Sequence, residues 1–193
     1  MENIKHLIDQ LGLENHIILE DIPNIDLYMD QVIQLFESKY NSTKRDPGVK
    51  VLTKTMINNY AKGKLLFPIK NKKYSKEHLI LISLIYQLKG VLSINDIKST
   101  LDGINKKVEE GDMDLDYFYS SYLDLSQKNA QQFKDDIQLK AVEASDKVKK
   151  MEDNDADYLE KVLLISSLVN ISNLYKRAAE RLVDQIVHEK KDD

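Results

Sequence analysis

"VLTKTMINNYAKGKLLFPIKNKKYS" (Val51–Ser75) holds six lysines and no acid, in a chain of 193 residues with a formal net charge of -4. Thr53 is suited to cap a helix running to about Lys62, and Gly63 is suited to stop it. On that helix Met56, Ile57, Tyr60 and Ala61 fall on one side, and Lys54, Thr55, Asn58, Asn59 and Lys62 on the other. The second side offers hydrogen-bond donors and acceptors and almost nothing apolar. Pro68 then disfavours helix, and "IKNKKY" (Ile69–Tyr74) has the pattern of a β-hairpin with Asn71 near its tip.

Charge is distributed unevenly around this stretch. Residues 1–42 carry a net charge of -6, residues 43–90 carry +9 and residues 91–193 carry -7. An acidic protein therefore concentrates its lysines in one segment, which marks a candidate phosphate-contacting surface.

Upstream, Glu2–Leu11 reads as a short helix closed by Gly12, and residues 13–24 as a loop. Asn24 or Asp26 is suited to cap a helix whose apolar positions are Ile25, Met29, Val32, Leu35 or Phe36, and Tyr40. "NSTKRDPG" (Asn41–Gly48) is a turn. Downstream, Ser75 caps a helix over about Lys76–Lys89, apolar enough to belong in the core. "SIND" (Ser93–Asp96) is a capping box with Asp in place of Glu and opens a helix over about Ile94–Leu101.

"EEGDMD" (Glu109–Asp114) separates two regions, placing domains at 1–108 and 109–193. In the second, Leu115, Phe118, Tyr122 and Leu125, then Phe133, Ile137, Ala141, Ala144 and Val148, predict one long helix. A turn at Met151–Tyr158 leads to a second helix over about Ala156–Glu189. Two long helices joined by a short turn make an antiparallel hairpin. The pair alone does not bury all of its apolar surface, so it is expected to pack on the N-terminal domain, on a second copy of itself, or on both, and a homodimer is expected from the surface left over.

Several function classes lack a constellation. Cysteine is absent, which excludes disulfides and thiolate metal sites and suits a reducing cytoplasm. The N-terminal residues are charged and amphipathic, unlike a signal peptide, and "LILISLIYQL" (Leu79–Leu88) is too short to span a bilayer. Asp153, Asp155 and Asp157 begin like a calcium loop, but Tyr158 stands where glycine is needed and Leu164 where the closing Glu belongs. His6, His16, His78 and His188 have no ligand-spaced partners, and His78 is expected at the surface. Tyr117, Tyr119 and Tyr122 are expected to pack rather than to form a ligand cage. No catalytic residue, metal or cofactor is expected, and no enzyme activity.

The order from residue 28 onward has the grammar of a helix-turn-helix with a wing, in which the second helix enters the major groove. Asn58 and Asn59 suit adenine, Lys54 and Lys62 suit guanine or phosphate, and Thr55 suits phosphate or a thymine methyl. Lys70, Lys72 and Lys73 would follow the backbone of double-stranded DNA, with Arg45 and Lys50 adding phosphate contacts from the turn.

A family resemblance rests on the same residues. Tyr60, Gly63, Leu65, Leu66, Pro68, Tyr74, Ser75, Glu77, Leu79, Gly90, Ser93 and Ile97 match the pattern of MerR-type winged helices. "DLYMDQV" (Asp26–Val32), "LTKTMINNY" (Leu52–Tyr60) and "KKYSKEHL" (Lys72–Leu79) resemble the bacterial family called domain of unknown function 1836. The resemblance covers about residues 20–101 and implies a transcriptional regulator. It departs at Asn58 and Asn59, where MerR-type helices carry arginine, and in ending in a helical hairpin rather than one coiled-coil helix. The expected architecture is thus mainly α: a MerR-like winged helix-turn-helix with a small β-hairpin wing, followed by a long antiparallel helical hairpin. The expected function is sequence-specific DNA binding by a dimeric repressor, with any small-molecule effector left open. The alternative is a protein-interaction adaptor that keeps the fold without DNA binding.

Overall fold

The computed structural model describes residues 2–192. Among them are seven α-helices and one two-stranded antiparallel sheet: α1 (Glu2–Gln10), β1 (Leu27–Tyr28), α2 (Met29–Tyr40), α3 (Lys54–Lys62), β2 (Lys73–Tyr74), α4 (Lys76–Leu88), α5 (Ile94–Glu110), α6 (Leu115–Lys149) and α7 (Ala156–Asp192). The protein is mainly helical, as its few glycines and prolines predict. Two compact units divide it: residues up to Glu14 with Leu125–Ala179, and Asn15–Asp124 with the residues from Glu180 onward.

In the unit built on Asn15–Asp124, α4 is the centre. Leu79, Ile80, Leu81, Ile82 and Ile85 are all 1 % exposed or less, and Ser83 among them is buried too. Val32 and Phe36 of α2, Ile57 and Tyr60 of α3, Ile97 and Leu101 of α5, and Leu115 and Tyr119 of α6 join it in the core. Each such side chain contributes about 1.5–3 kcal/mol by leaving water.

The helix ends follow their residues. Thr53 Oγ1 accepts the Met56 N–H at 3.2 Å, capping α3. At its other end the Leu65 N–H donates to the Tyr60 carbonyl at 2.9 Å and the Lys64 N–H to the Ala61 carbonyl at 3.1 Å. This is a Schellman closure, and the left-handed residue is Lys64, with φ 57°. Gly63 itself keeps φ -74°. It is glycine for space, because a Cβ there would lie 2.8 Å from Leu65 Cδ1 and 3.0 Å from the Asn59 carbonyl oxygen. Gly12 does take the left-handed conformation, φ 58°, after α1.

Three elements differ from expectation. Neither Asn24 nor Asp26 caps α2; a two-residue strand intervenes, the cap is Tyr28, and Ile25 is exposed. The Tyr28 N–H is satisfied instead by Gln31 Oε1 at 2.8 Å, so a side chain one turn inside the helix closes its start. The helix opened by Ser93 and Asp96 does not stop at Leu101 but runs to Glu110, with Gly111 as its left-handed cap at φ 78°. Buried Asn105 explains the added length: its Nδ2 donates to the Leu65 carbonyl at 2.9 Å and the Leu101 carbonyl at 3.1 Å, fixing the helix to the loop after α3. In the first ten residues of α6 the buried positions are Leu115 and Tyr119, whereas Phe118 and, just beyond, Leu125 are exposed. Tyr119 OH donates to the Ile17 carbonyl at 2.6 Å, and the Ile17 N–H donates to Tyr40 OH at 3.4 Å, so the backbone of Ile17 is held through both its polar groups.

Of the three tyrosines near the start of α6, Tyr119 packs as expected, its ring 5.9 Å from Tyr122, while Tyr117 is exposed. In the other unit, α6 buries Ala130, Ile137, Ala141, Ala144 and Val148, close to the predicted stripe. Lys134 of α6 pairs with Glu14 at 2.7 Å. Between α6 and α7, Asp153 Oδ1 accepts the Asp155 N–H at 2.8 Å. Among the described residues no helix is long and apolar enough to cross a membrane.

Candidate nucleic-acid interface

α3 packs its apolar side on the core, which leaves Lys54, Thr55, Asn58, Asn59 and Lys62 exposed to solvent. Among the described residues the amides of Asn58 and Asn59 make no hydrogen bond to the protein, so their donors and acceptors are available. The predicted division of this helix into two sides is the observed one.

The segment after α3 is built differently from the expected hairpin over Ile69–Tyr74. Asn71 and Lys72 both have positive φ, 54° and 59°, and the Lys73 N–H donates to the Lys70 carbonyl at 3.0 Å. That is a tight two-residue turn of the type that matches strand twist, with Asn71 at the tip as predicted. The hairpin itself is closed by one bridge, Lys70 opposite Lys73. Beyond it β2 pairs with β1, Tyr74 opposite Leu27 and Lys73 opposite Tyr28. The partner strand comes from the segment before α2, which sequence alone does not reveal because two residues carry no readable alternation. Lys70 and Lys72 are exposed, and Lys73 is half-buried.

Two of the predicted contacts converge. Lys54 Nζ lies 2.7 Å from Asp30 Oδ1. Lys73 Nζ sits 5.3 Å from the centre of the Tyr28 ring, within cation–π range. Tyr28 and Asp30 stand two residues apart, so the start of α3 and the start of β2 meet the same corner of the chain. Among the described residues, Lys62, Lys70 and Lys72 have no ion pair that ties them to it. Tyr28 and Asp30 are the residues of this surface that sequence reasoning passed over, although both lie inside "DLYMDQV".

The connection from α2 to α3 spends some of its basic charge internally. Lys44 pairs with Glu37, and Glu37 Oε2 accepts the Val51 N–H at 3.1 Å. The bond from Lys44, then that from Val51, hold the Glu37 carboxyl below the usual carboxylate range against partial desolvation. Lys89 Nζ donates to the Val51 carbonyl at 3.2 Å and lies 4.3 Å from the Tyr86 ring, and burial pushes its pKa down. The backbone of Val51 is thereby fastened through both its N–H and its carbonyl just ahead of α3. Arg45 and Lys50 remain exposed.

His78 is a further correction: it is 3 % exposed, not at the surface. Its Nδ1 accepts the Ser75 N–H at 3.1 Å, which assigns the ring proton to Nε2, donating to the Phe67 carbonyl at 3.2 Å. The imidazole stacks on the Phe67 ring with centroids 3.8 Å apart and meets Tyr74 edge-on at 5.9 Å. One side chain therefore holds both ends of residues 67–75. Burial pushes its pKa down, against smaller opposing effects of the Phe67 carbonyl, Glu77 and Asp26. A cleft of about 310 Å³ beside it is lined by Asp26, Lys70, Lys73 and Glu109 among others.

Among the described residues no group of three or more His, Asp or Glu side chains is arranged to hold a metal ion. Asp153, Asp155 and Asp157 are exposed in the turn before α7 and around its start.

Residues 17–122, more than half of the chain, match the family described as domain of unknown function (DUF1836). The chain belongs to that family. No curated protein and no solved structure matches it.

Proposed function

We propose that the protein is a sequence-specific regulator that binds double-stranded DNA, with α2, the 41–53 connection and α3 acting as a helix-turn-helix and residues 67–75 as its wing. The observation that carries this is the exposed side of α3, where Thr55, Asn58, Asn59 and Lys62 present donors and acceptors that have no partner among the described residues. α3 would lie in the major groove, with Asn58 and Asn59 hydrogen-bonded to adenine N6 and N7. Lys70, Lys72 and Lys73 would track phosphates and release counterions. The MerR-like sequence pattern supports the same assignment, with the cytoplasm as compartment. Repression by occupying a site is the mode that needs least of the protein: a stable grip and no chemistry, so no enzymatic step is assigned.

The protein is proposed to act as a homodimer. Tyr158, Val162, Ile165 and Val169 recur at spacings of four, three and four along α7, and each is at least 40 % exposed. Such a line is what a second helix covers by knobs-into-holes packing. The same side chains also favour a second reading, an adaptor in which α7 binds another protein and the lysine-rich surface meets no DNA.

Selection from a random duplex library, followed by affinity measurements over a salt series, tests the assignment. Lys72→Ala with Lys73→Ala is expected to weaken binding to all sequences and flatten its salt dependence by about one logarithmic unit per lost phosphate contact. Intact protein that shows no salt-sensitive binding to any duplex rules the assignment out and leaves the adaptor.

A further inference from the structure

Five lysines stand among the candidate DNA contacts: Lys54, Lys62, Lys70, Lys72 and Lys73. Among the described residues, Lys54 is the one of these five held by a carboxylate, that of Asp30 at 2.7 Å. The fold has little use for this pair. Its side chains are 64 % and 74 % exposed, and an ion pair so open to water contributes little to stability. Each helix start is already closed by other groups: Thr53 Oγ1 accepts from the Met56 N–H on α3, and Gln31 Oε1 accepts from the Tyr28 N–H on α2.

The pair matters more on the surface that faces DNA. Residues in the first turn of the second helix are those that reach base edges when such a module docks. Lys54 is the first residue of α3. A duplex that offers Lys54 only a phosphate must draw it from Asp30 and leave that carboxylate facing a polyanion. A duplex that places guanine there offers O6 and N7, which compensate for the lost partner. Penalising the wrong partner in this way raises specificity as effectively as strengthening the right one.

We propose that Asp30 is a specificity-determining residue of the DNA-contact surface, occupying Lys54 and opposing phosphate so that sequence-independent binding is suppressed. This rests on the DNA-binding function proposed above. Asp30 acts on Lys54 and on the approaching backbone; it need not touch a base.

The test uses the full-length chain, a random-sequence duplex pool, and the sequence selected from a random library. Asp30→Asn is expected to raise affinity for the random pool about eightfold near 0.1 M salt and to steepen the salt slope by about 0.9, the effect of one added lysine–phosphate contact. Affinity for the selected sequence should rise less, so the ratio between the two falls. Asp30→Ser, which removes the charge with a smaller side chain, should do the same. In a Lys54→Ala background most of the gain should disappear. Wild-type protein that binds DNA in a salt-sensitive way, with Asp30→Asn and Asp30→Ser leaving affinity and slope unchanged, overturns the role of Asp30 alone. A gain that persists in full without Lys54 overturns it as well. Wild type and both variants without salt-sensitive binding overturn the DNA assignment and this role with it.

Discussion

α4 is rich in Leu and Ile, α7 in Leu, Ile and Val, and the molecule treats them in opposite ways. From Leu79 to Ile85 every residue of α4 is at most 6 % exposed. On α7, Val162, Leu163, Ile165 and Val169 are 40, 36, 60 and 54 % exposed. The difference is in what surrounds them. α4 packs against α5 and β2, and its unit supplies α2, α3 and the start of α6 to close the remaining sides. In its own unit α7 has α6 and the short α1, too few elements to enclose a helix. An apolar run thus specifies a helix that must be covered; the number of neighbours decides whether this chain does the covering.

The contrast is broken most severely at the core. Leu81→Ala should cost about 2–5 kcal/mol in urea denaturation, because a cavity adds to the lost transfer energy. Ile165→Ala should change the stability of the monomer by about 0.5 kcal/mol or less. Equal losses would mean that the α7 surface is buried in the species being unfolded. Charge on α7 asks the matching question about association. Val162→Asp with Ile165→Asp should weaken a dimer by about 2 kcal/mol or more, roughly thirtyfold, in sedimentation equilibrium. An unchanged mass at all concentrations would remove α7 from the interface.

At the surface of α3, Asn58→Ala and Asn59→Ala should each reduce discrimination at one base pair by about 1–3 kcal/mol and leave the melting temperature in place. Loss of stability instead would assign the amides to the fold. α5 supplies an intermediate case. Gly103 is exposed inside that helix and a Cβ there would meet nothing within 4 Å, so Gly103→Ala should stabilise by about 1 kcal/mol in thermal unfolding. A loss would show that the glycine is needed for something the isolated chain does not display.

The gentlest perturbation is pH. His78 has a folded pKa below its ordinary value, so between the two the unfolded chain binds a proton that the folded chain refuses, and stability falls as pH drops below about 6.5. A further loss follows at lower pH. Partial burial pushes Asp21 up, but bonds from Lys39 and the Ile18 N–H outweigh it and hold the carboxyl below its usual range. Glu37 is lowered too, first by Lys44. Their stabilisation is present above the ordinary carboxylate range and disappears as pH falls through the depressed values. His78→Gln should abolish the first step and keep the second; a first step that survives belongs to another group.

Much of this was legible in the residues. The two sides of α3 follow from the spacing of Met56, Ile57 and Tyr60, and the caps at Thr53, Ser75 and Ser93 stand where short polar residues precede periodic runs. The buried stripe of α6 from Ile137 to Val148 is periodic in the same way. These are local preferences, set by helix geometry and by orphan backbone groups that nearby side chains can satisfy. What the chain does at a distance was not legible. β2 found its partner at Leu27–Tyr28, His78 was drawn inward to hold Phe67 and Ser75, and Asn105 reached Leu65 and lengthened α5. Lys54 met Asp30, and Lys73 met Tyr28. Each is a pairing between segments far apart in the chain, or between chemistries with many possible partners. The sequence by itself determined which segments are helical and which sides of them are polar. Only the tertiary structure decided which polar groups are spent inside the protein and which remain exposed to solvent, because burial and hydrogen bonding are settled by neighbours in space.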